Sequence, residues 1–221
     1  MPLNKQKGNM YGFVTHTWNT IKGACPHDCS YCYCKSMAQR FNKPQPELHF
    51  DEKELKTNLG SGNFIFVGSS CDMFADNIPE EWIRKTLEHC GKYQHNKYLF
   101  QTKNPGNIRR IMLMNTTCCV TIETNRENDL NNSPTRYDRF IDSLSIRNDV
   151  MITIEPIMDF DIRYFIRWLQ DLNPIQVNIG ANTNRKVRVP EPPKEKVLDL
   201  ITELEKFTTV HVKKNLDRII K

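Results

Sequence analysis

The residues best equipped for chemistry are three cysteines crowded into eight positions, Cys25-Pro26-His27-Asp28-Cys29-Ser30-Tyr31-Cys32. Their spacing is C-x3-C-x2-C. Three such thiolates can hold three irons of a cubane cluster, whereas a cluster with a purely structural role normally takes four cysteines. The fourth iron is then open to a small molecule, as a catalytic zinc keeps one position open. Two plainer readings compete. Cys34 adds a fourth cysteine within ten residues, which allows a structural zinc site. Zinc knuckles, however, use two C-x2-C type pairs separated by a longer loop. Cysteines two apart on a helix also point to different sides, so Cys34 is expected to stand away from Cys32 as a packed or spare thiol. A disulfide scaffold would call for a shorter, denser, secreted chain. Here eight cysteines are spread over 221 residues and no signal peptide is recognisable. Cys71, Cys90, Cys118 and Cys119 lie in apolar contexts and are expected to be small buried hydrophobes.

The elements that must position this loop follow from periodicity. Short apolar or β-branched runs bounded by polar residues fall at Tyr11–Thr17, Asn63–Gly68, Lys97–Thr102, Cys118–Glu123, Val150–Glu155 and Gln176–Gly180, with a shorter run at Thr208–Val212. Such runs fit strands buried on both faces. Between them lie helical signatures. Pro79-Glu80-Glu81 opens a helix toward Gln94, and Asn104-Pro105 reads as an N-cap followed by proline. Asp161 precedes an amphipathic stretch at Ile162–Leu172, and Pro192-Pro193 precedes another at Lys194–Lys206. The βαβ alternation implies a parallel sheet, either a partial (βα)6 barrel or a flavodoxin-like open sheet. In both, ligands sit at the carboxyl ends of the strands.

A length of 221 residues, 38% hydrophobic and 26% charged, fits one soluble domain spanning residues 1–221. No apolar run is long enough for a membrane span. Reduced-looking cysteines and the lack of a targeting signal imply a cytoplasmic protein. The net charge of +5 permits a nucleic-acid partner without requiring one. The basic knots Arg109-Arg110, Arg185-Lys186-Val187-Arg188 and Lys213-Lys214 are expected to be solvated surface.

The motif resembles that of the radical S-adenosylmethionine (SAM) superfamily, C-x3-C-x-aromatic-C, with Tyr31 as the aromatic. The flanking blocks extend the likeness: His16-Thr-Trp18-Asn19 through Gly23, Cys32-Tyr33, Phe66-Val-Gly-Ser-Ser-Cys-Asp72-Met-Phe and Gln101-Thr-Lys-Asn-Pro105. Together they are similar to a phage-associated, radical-SAM-like family of unknown function, over a span from about Trp18 to Lys213-Lys214. The resemblance implies a partial (βα)6 barrel with a [4Fe–4S] cluster on Cys25, Cys29 and Cys32 and SAM on its open iron. It also implies reductive cleavage of SAM to a 5′-deoxyadenosyl radical, with an electron from a flavodoxin- or ferredoxin-like donor. The substrate is expected to be a nucleobase in nucleic acid or a nucleotide. A non-catalytic iron–sulfur or zinc protein that binds nucleic acid is the alternative, and a peptide or small-metabolite substrate is a third.

Placed on the strand ends, the resemblance nominates SAM-binding residues. Ser69, Ser70 and Asp72, after the second strand, would meet the amino group, although Gly and Ser also make ordinary turns. Lys103 would meet the SAM carboxylate, with Arg126 as an alternative, unless Lys103 is merely solvated. Thr121 and Glu123 alternate onto one face and would hold the ribose hydroxyls, and Tyr31 belongs with this cofactor-binding set. Glu155 ends the fifth strand, where a charge invites either a substrate-side catalytic role or a barrel-internal polar network. Gly180 would allow close backbone approach. In the spore photoproduct lyase branch of the superfamily a barrel cysteine donates a hydrogen atom, a role that Cys71 would take, against its packing as an ordinary buried thiol. His27 and Asp28 are expected to shape the loop, and Trp18-Asn19 to brace it.

Overall fold

The computed structural model describes residues 3–6, 11–108, 113–184 and 186–221. An edge strand β1 (Asn4–Lys5) pairs antiparallel with β2 (His16–Trp18). A small antiparallel sheet of β3 (Ile21–Lys22) and β4 (His49–Phe50) brackets the cysteine loop and helix α1 (Tyr33–Arg40). The remaining strands are β5 (Phe64–Val67), β6 (Lys97–Thr102), β7 (Thr116–Thr121), β8 (Asp149–Ile154), β9 (Gln176–Ile179) and β10 (Thr209–Val212). From β2 onward the large sheet runs β2-β5-β6-β7-β8-β9-β10, every neighbour parallel.

This order decides between the two architectures left open by the alternation. A doubly wound sheet reverses direction at a switch point. Here the strands follow chain order without reversal, so the crossovers progress one way, as in a barrel. The chain is a partial (βα) barrel with Thr209–Val212 as a seventh parallel strand. Its helices are α2 (Glu80–Gly91), α3 (Pro105–Ile108), α4 (Arg136–Ser143), α5 (Ile162–Leu172), α6 (Lys194–Leu204) and α7 (Asp217–Ile220). None of the described helices is long and apolar enough to cross a membrane.

The period of two along the strands separates two cores. Val120, Ile152, Ile154, Val177 and Ile179 pack with Phe165 and Leu169 of α5 and with Val197 and Leu200 of α6. Each fully buried side chain of this size contributes about 1.5–3 kcal/mol. The alternate positions Phe66, Leu99, Cys119 and Met151 point to the other face and pack with Tyr11 and Val14. The stretch expected as the start of the first strand is therefore a lumenal plug. Tyr11 and Val14 turn inward, with Val14 N donating to Tyr11 O at 3.0 Å, and strand pairing begins only at His16. Toward the carboxyl ends the inner face becomes polar, with Gln101, Thr121, Thr153 and Asn178.

The helix at Ile162–Leu172 appears as expected, closed by Asn173 in the left-handed region (φ 43°), which asparagine tolerates. Helix α4 was not expected, yet Thr135 caps it by accepting from Asp138 N at 3.0 Å. Of the basic knots, Arg109, Arg110 and Arg185 lie outside the described residues, and Lys186 and Arg188 are exposed. Lys213 is a correction to the expected solvated pair. It is 8% exposed, with Nζ 2.6 Å from Glu155 Oε2, because a lysine buried this deeply requires a carboxylate partner.

Candidate functional site

The cysteine loop leaves the β3 end through Gly23, at φ 103°, where a Cβ would lie 2.2 Å from Glu47 O. The loop is closed by local turns, Asp28 N to Cys25 O at 3.0 Å and Cys32 N to Cys29 O at 3.2 Å. A distant segment clips it on one side, with Ser30 N donating to Leu130 O (2.9 Å) and Asn132 N to His27 O (2.7 Å).

Asp72 clips the other side. Its Oδ2 accepts from His27 Nε2 (2.8 Å), Thr102 Oγ1 (2.9 Å) and Lys103 N (2.8 Å), and Oδ1 accepts from Phe74 N (3.0 Å). Burial acts to raise this carboxyl, but the His27 contact and the backbone donors outweigh it and hold it below the usual range. His27 thus does shape the loop. Asn19 braces the adjoining turn, its Oδ1 accepting from Ser69 Oγ and Ser70 N, both at 3.2 Å. Gly68, at φ 77°, makes that turn.

The thiols have their own partners. Cys71 Sγ donates to Asp72 O (3.9 Å) and Cys34 Sγ to Ser70 O (3.5 Å), and the neighbouring Cys71 and Cys34 thiols lower Cys25 to about 7 and Cys32 to about 6. Burial raises Cys29. Cys34 lines the same cavity as Cys32 rather than standing away from it. The reason is local, since Cys32 is the N-cap of α1 (ψ 128°) and lies outside the helical spacing. Two of the three motif cysteines are thus biased toward thiolate, the form in which cysteine binds metal.

Behind the loop lies a fully buried carboxylate, Glu123. Its Oε1 accepts from Tyr31 Oη and Lys103 Nζ (2.8 Å), and its Oε2 from Arg139 Nη1 (2.8 Å), with Arg136 Nε at 3.9 Å. Burial alone would raise this group, but Lys103, Arg139 and Arg136 hold it far below the usual carboxylate range. Both oxygens are engaged by the protein. Arg139 also donates to Thr121 O, Pro134 O and Asn131 Oδ1. Asn131 in turn donates to Tyr31 Oη at 3.1 Å. The sequence reading missed Arg136, Arg139 and Asn131. The one available signal was the Thr135-x-x-Asp138 cap, which would have put both arginines on a helix.

On the lumen side, Tyr11 Oη donates to Gln101 Oε1 (2.8 Å), and Gln101 Nε2 to Thr121 Oγ1 (3.2 Å). Glu155 accepts from Lys213 and from Asn215 Nδ2 (2.9 Å). Gly180 leaves the space for it, since a Cβ there would lie 2.6 Å from Glu155 Oε1. Arg126 is taken up by Asp159 and Asp161 on the outer surface.

Nine of the nominated residues, Cys25, Cys29, Cys32, Ser69, Ser70, Cys71, Asp72, Lys103 and Thr121, come together around one cavity of about 160 Å³ at the carboxyl ends of β5, β6 and β7. Tyr31 and Glu123 adjoin it through Lys103, and Glu155 stands apart with Lys213. Among the described residues no three Cys, His, Asp or Glu side chains form a group suited to a single metal ion. A cubane instead takes one thiolate on each of separate irons, so cysteines spread around a cavity, two of them thiolate-biased, are a donor set that fits it.

No curated protein sequence matches the chain. A family model described as "Protein of unknown function (DUF5131)" matches residues 10–135. Among solved structures, a spore photoproduct lyase double mutant with bound AdoMet and dinucleoside spore photoproduct superposes with a TM-score of 0.65. The identity is 12%, over 96% of this chain and 80% of that one. A spore photoproduct lyase complexed with dinucleoside spore photoproduct gives a TM-score of 0.63 at 12% identity, over 94% and 78%. The shared feature is the fold, a partial barrel of the radical SAM type.

Proposed function

The chain belongs to the DUF5131 family of proteins of unknown function, and from that premise we propose that it is a radical SAM enzyme acting on a nucleobase or nucleotide. The observation that carries this reading is the gathering of the three motif cysteines with Lys103, Ser69, Ser70 and Thr121 around one strand-end cavity. Cys25, Cys29 and Cys32 would hold a [4Fe–4S] cluster. When bound, cluster and SAM supply the reductive cleavage that yields methionine and a hydrogen-abstracting 5′-deoxyadenosyl radical, with the electron from a flavodoxin- or ferredoxin-like donor.

The chain's own part is orientation. Lys103 presents a cation to the SAM carboxylate, and the buried Glu123–Arg139 pair fixes where that cation sits. Ser69 and Ser70 offer oxygens to the amino group, and Thr121 offers a hydroxyl to the ribose, while Tyr31 and Glu123 act from behind Lys103. Asp72 holds the cysteine loop through His27 while lining the same cavity. Cys71, at the same wall, would return a hydrogen atom to a product radical. Glu155, poised by Lys213, would serve the substrate side. A nucleotide substrate accords with the solved neighbours that hold a dinucleoside lesion and with the phage-linked family whose sequence blocks these resemble. Residues 1–221 would act as one core domain in the cytoplasm.

The test is anaerobic reconstitution with iron and sulfide, then dithionite and SAM, with chromatography of the products. A 5′-deoxyadenosine peak that vanishes in Cys29→Ala is expected. Zinc uptake in place of iron, or no SAM cleavage, would refute the proposal.

A further inference from the structure

Helix α1 carries a stripe that none of these roles uses. Tyr33, Met37 and, at the C-cap, Phe41 recur every fourth residue, so they lie along one side of the helix. They are 52%, 47% and 58% exposed, and α1 itself buries no residue. The stripe starts at the cavity, because Tyr33 lines it and donates its hydroxyl to Ser69 O at 3.0 Å. At 1.5 Å per residue it then runs about 12 Å outward.

The charge on the segment that carries the stripe has one sign. From Cys29 to Pro46 the chain carries Lys35, Arg40 and Lys43 and no acid. Lys35 is paired with Asp28, which leaves Arg40 and Lys43 as the exposed cations of the segment. The Arg40 guanidinium lies over the Phe41 ring, 5.8 Å from its centroid. Rings with intercalated cations are the makeup of a single-strand platform, in which bases stack on aromatics and phosphates meet the cations. A run of about 12 Å matches roughly three stacked nucleotides at 3.4 Å each.

We propose that this face of α1 docks an unpaired nucleic-acid strand and leads one nucleotide past Tyr33 into the cavity. The inference rests on the nucleotide-substrate reading above and names its polymer form. The test is fluorescence anisotropy of a labelled twelve-nucleotide oligothymidylate titrated with the full-length chain at low salt. Phe41→Ala is expected to weaken binding about tenfold or more, the loss of one base stack. Arg40→Gln together with Lys43→Gln is expected to flatten the salt dependence, each phosphate contact contributing about 0.7 to the slope on a single strand. Both sites are exposed, and circular dichroism checks their folding. No binding by the wild-type chain, or binding indifferent to these changes, overturns the proposal. So does a result in which they weaken binding of flavodoxin but not of the oligonucleotide, which would assign the face to an acidic electron donor. SAM cleavage by the wild-type chain, run alongside, separates the two claims: cleavage without oligonucleotide binding sinks the platform and leaves the enzyme standing.

Discussion

Replacing Glu123 by glutamine keeps the side chain's shape and removes its charge from among three cations. Each attraction is worth about 6 kcal/mol for the two 2.8 Å pairs and about 4 kcal/mol for the 3.9 Å pair at an effective dielectric near 20. Desolvation offsets most of that, and experience with removing one partner of a buried ion pair puts the net cost at about 3–5 kcal/mol. Since whole domains are stable by only about 5–15 kcal/mol, Glu123→Gln should sharply lower the urea midpoint, followed by circular dichroism under anaerobic conditions. Adding Lys103→Met removes one stranded cation and should recover part of the loss, so the two changes will not add. The acid limb carries a second signature. The folded Glu123 carboxyl lies far below the roughly 4.3 of an unfolded glutamate. Its contribution is therefore present above that value and drains away as pH falls from about 5 downward. Wild-type stability should fall through that window, and the Gln variant should show a flatter limb. A Glu123→Gln protein within about 1 kcal/mol of wild type at pH 7 would refute the claim that this carboxylate balances buried charge.

Asp72→Asn loses the charge that accepts from His27, Thr102 and the Lys103 amide. It should cost about 1.5–3 kcal/mol and reduce the iron retained per chain on reconstitution, read by colorimetric iron assay. Gly180→Ala places a methyl 2.6 Å from Glu155 Oε1. Urea denaturation should show about 1–3 kcal/mol lost, the usual size of an overpacking strain. Phe165→Ala empties a fully buried site in the helix-side core. It should cost about 3–5 kcal/mol by the same measurement.

The strands were legible because each is a short apolar run, as parallel strands covered on both faces must be. The cysteine loop was legible from residue type and spacing alone. Tyr11–Val14 misled because a lumenal plug and a strand can both show inward-facing apolar residues, and only the pairing partners tell them apart. The strand Thr116–Thr121 begins two residues before the expected run, since its two threonines look like loop while pairing with Tyr98 and Leu99. Arg136 and Arg139 were invisible for a deeper reason. Arginines in a polar stretch read as surface, and what buries these is a carboxylate on another element. The mutual satisfaction of Glu123, Lys103, Arg136 and Arg139 is a property of the fold rather than of any window of sequence.

The clips on the cysteine loop also set a schedule for making the protein. Cys25, Cys29 and Cys32 are synthesised early, but the groups that hold their loop, from Asp72 through Leu130 and Asn132 to Arg139, come later. At about 5–20 residues per second, the ribosome needs several seconds or more to reach Arg139 after Cys32. During that interval the thiols have no finished cradle and are open to oxidants and stray metals. Under the proposed function, loading of the cluster would follow completion of the β7–α4 crossover, and production under air should lower the yield of loadable chain more than it lowers the yield of soluble chain.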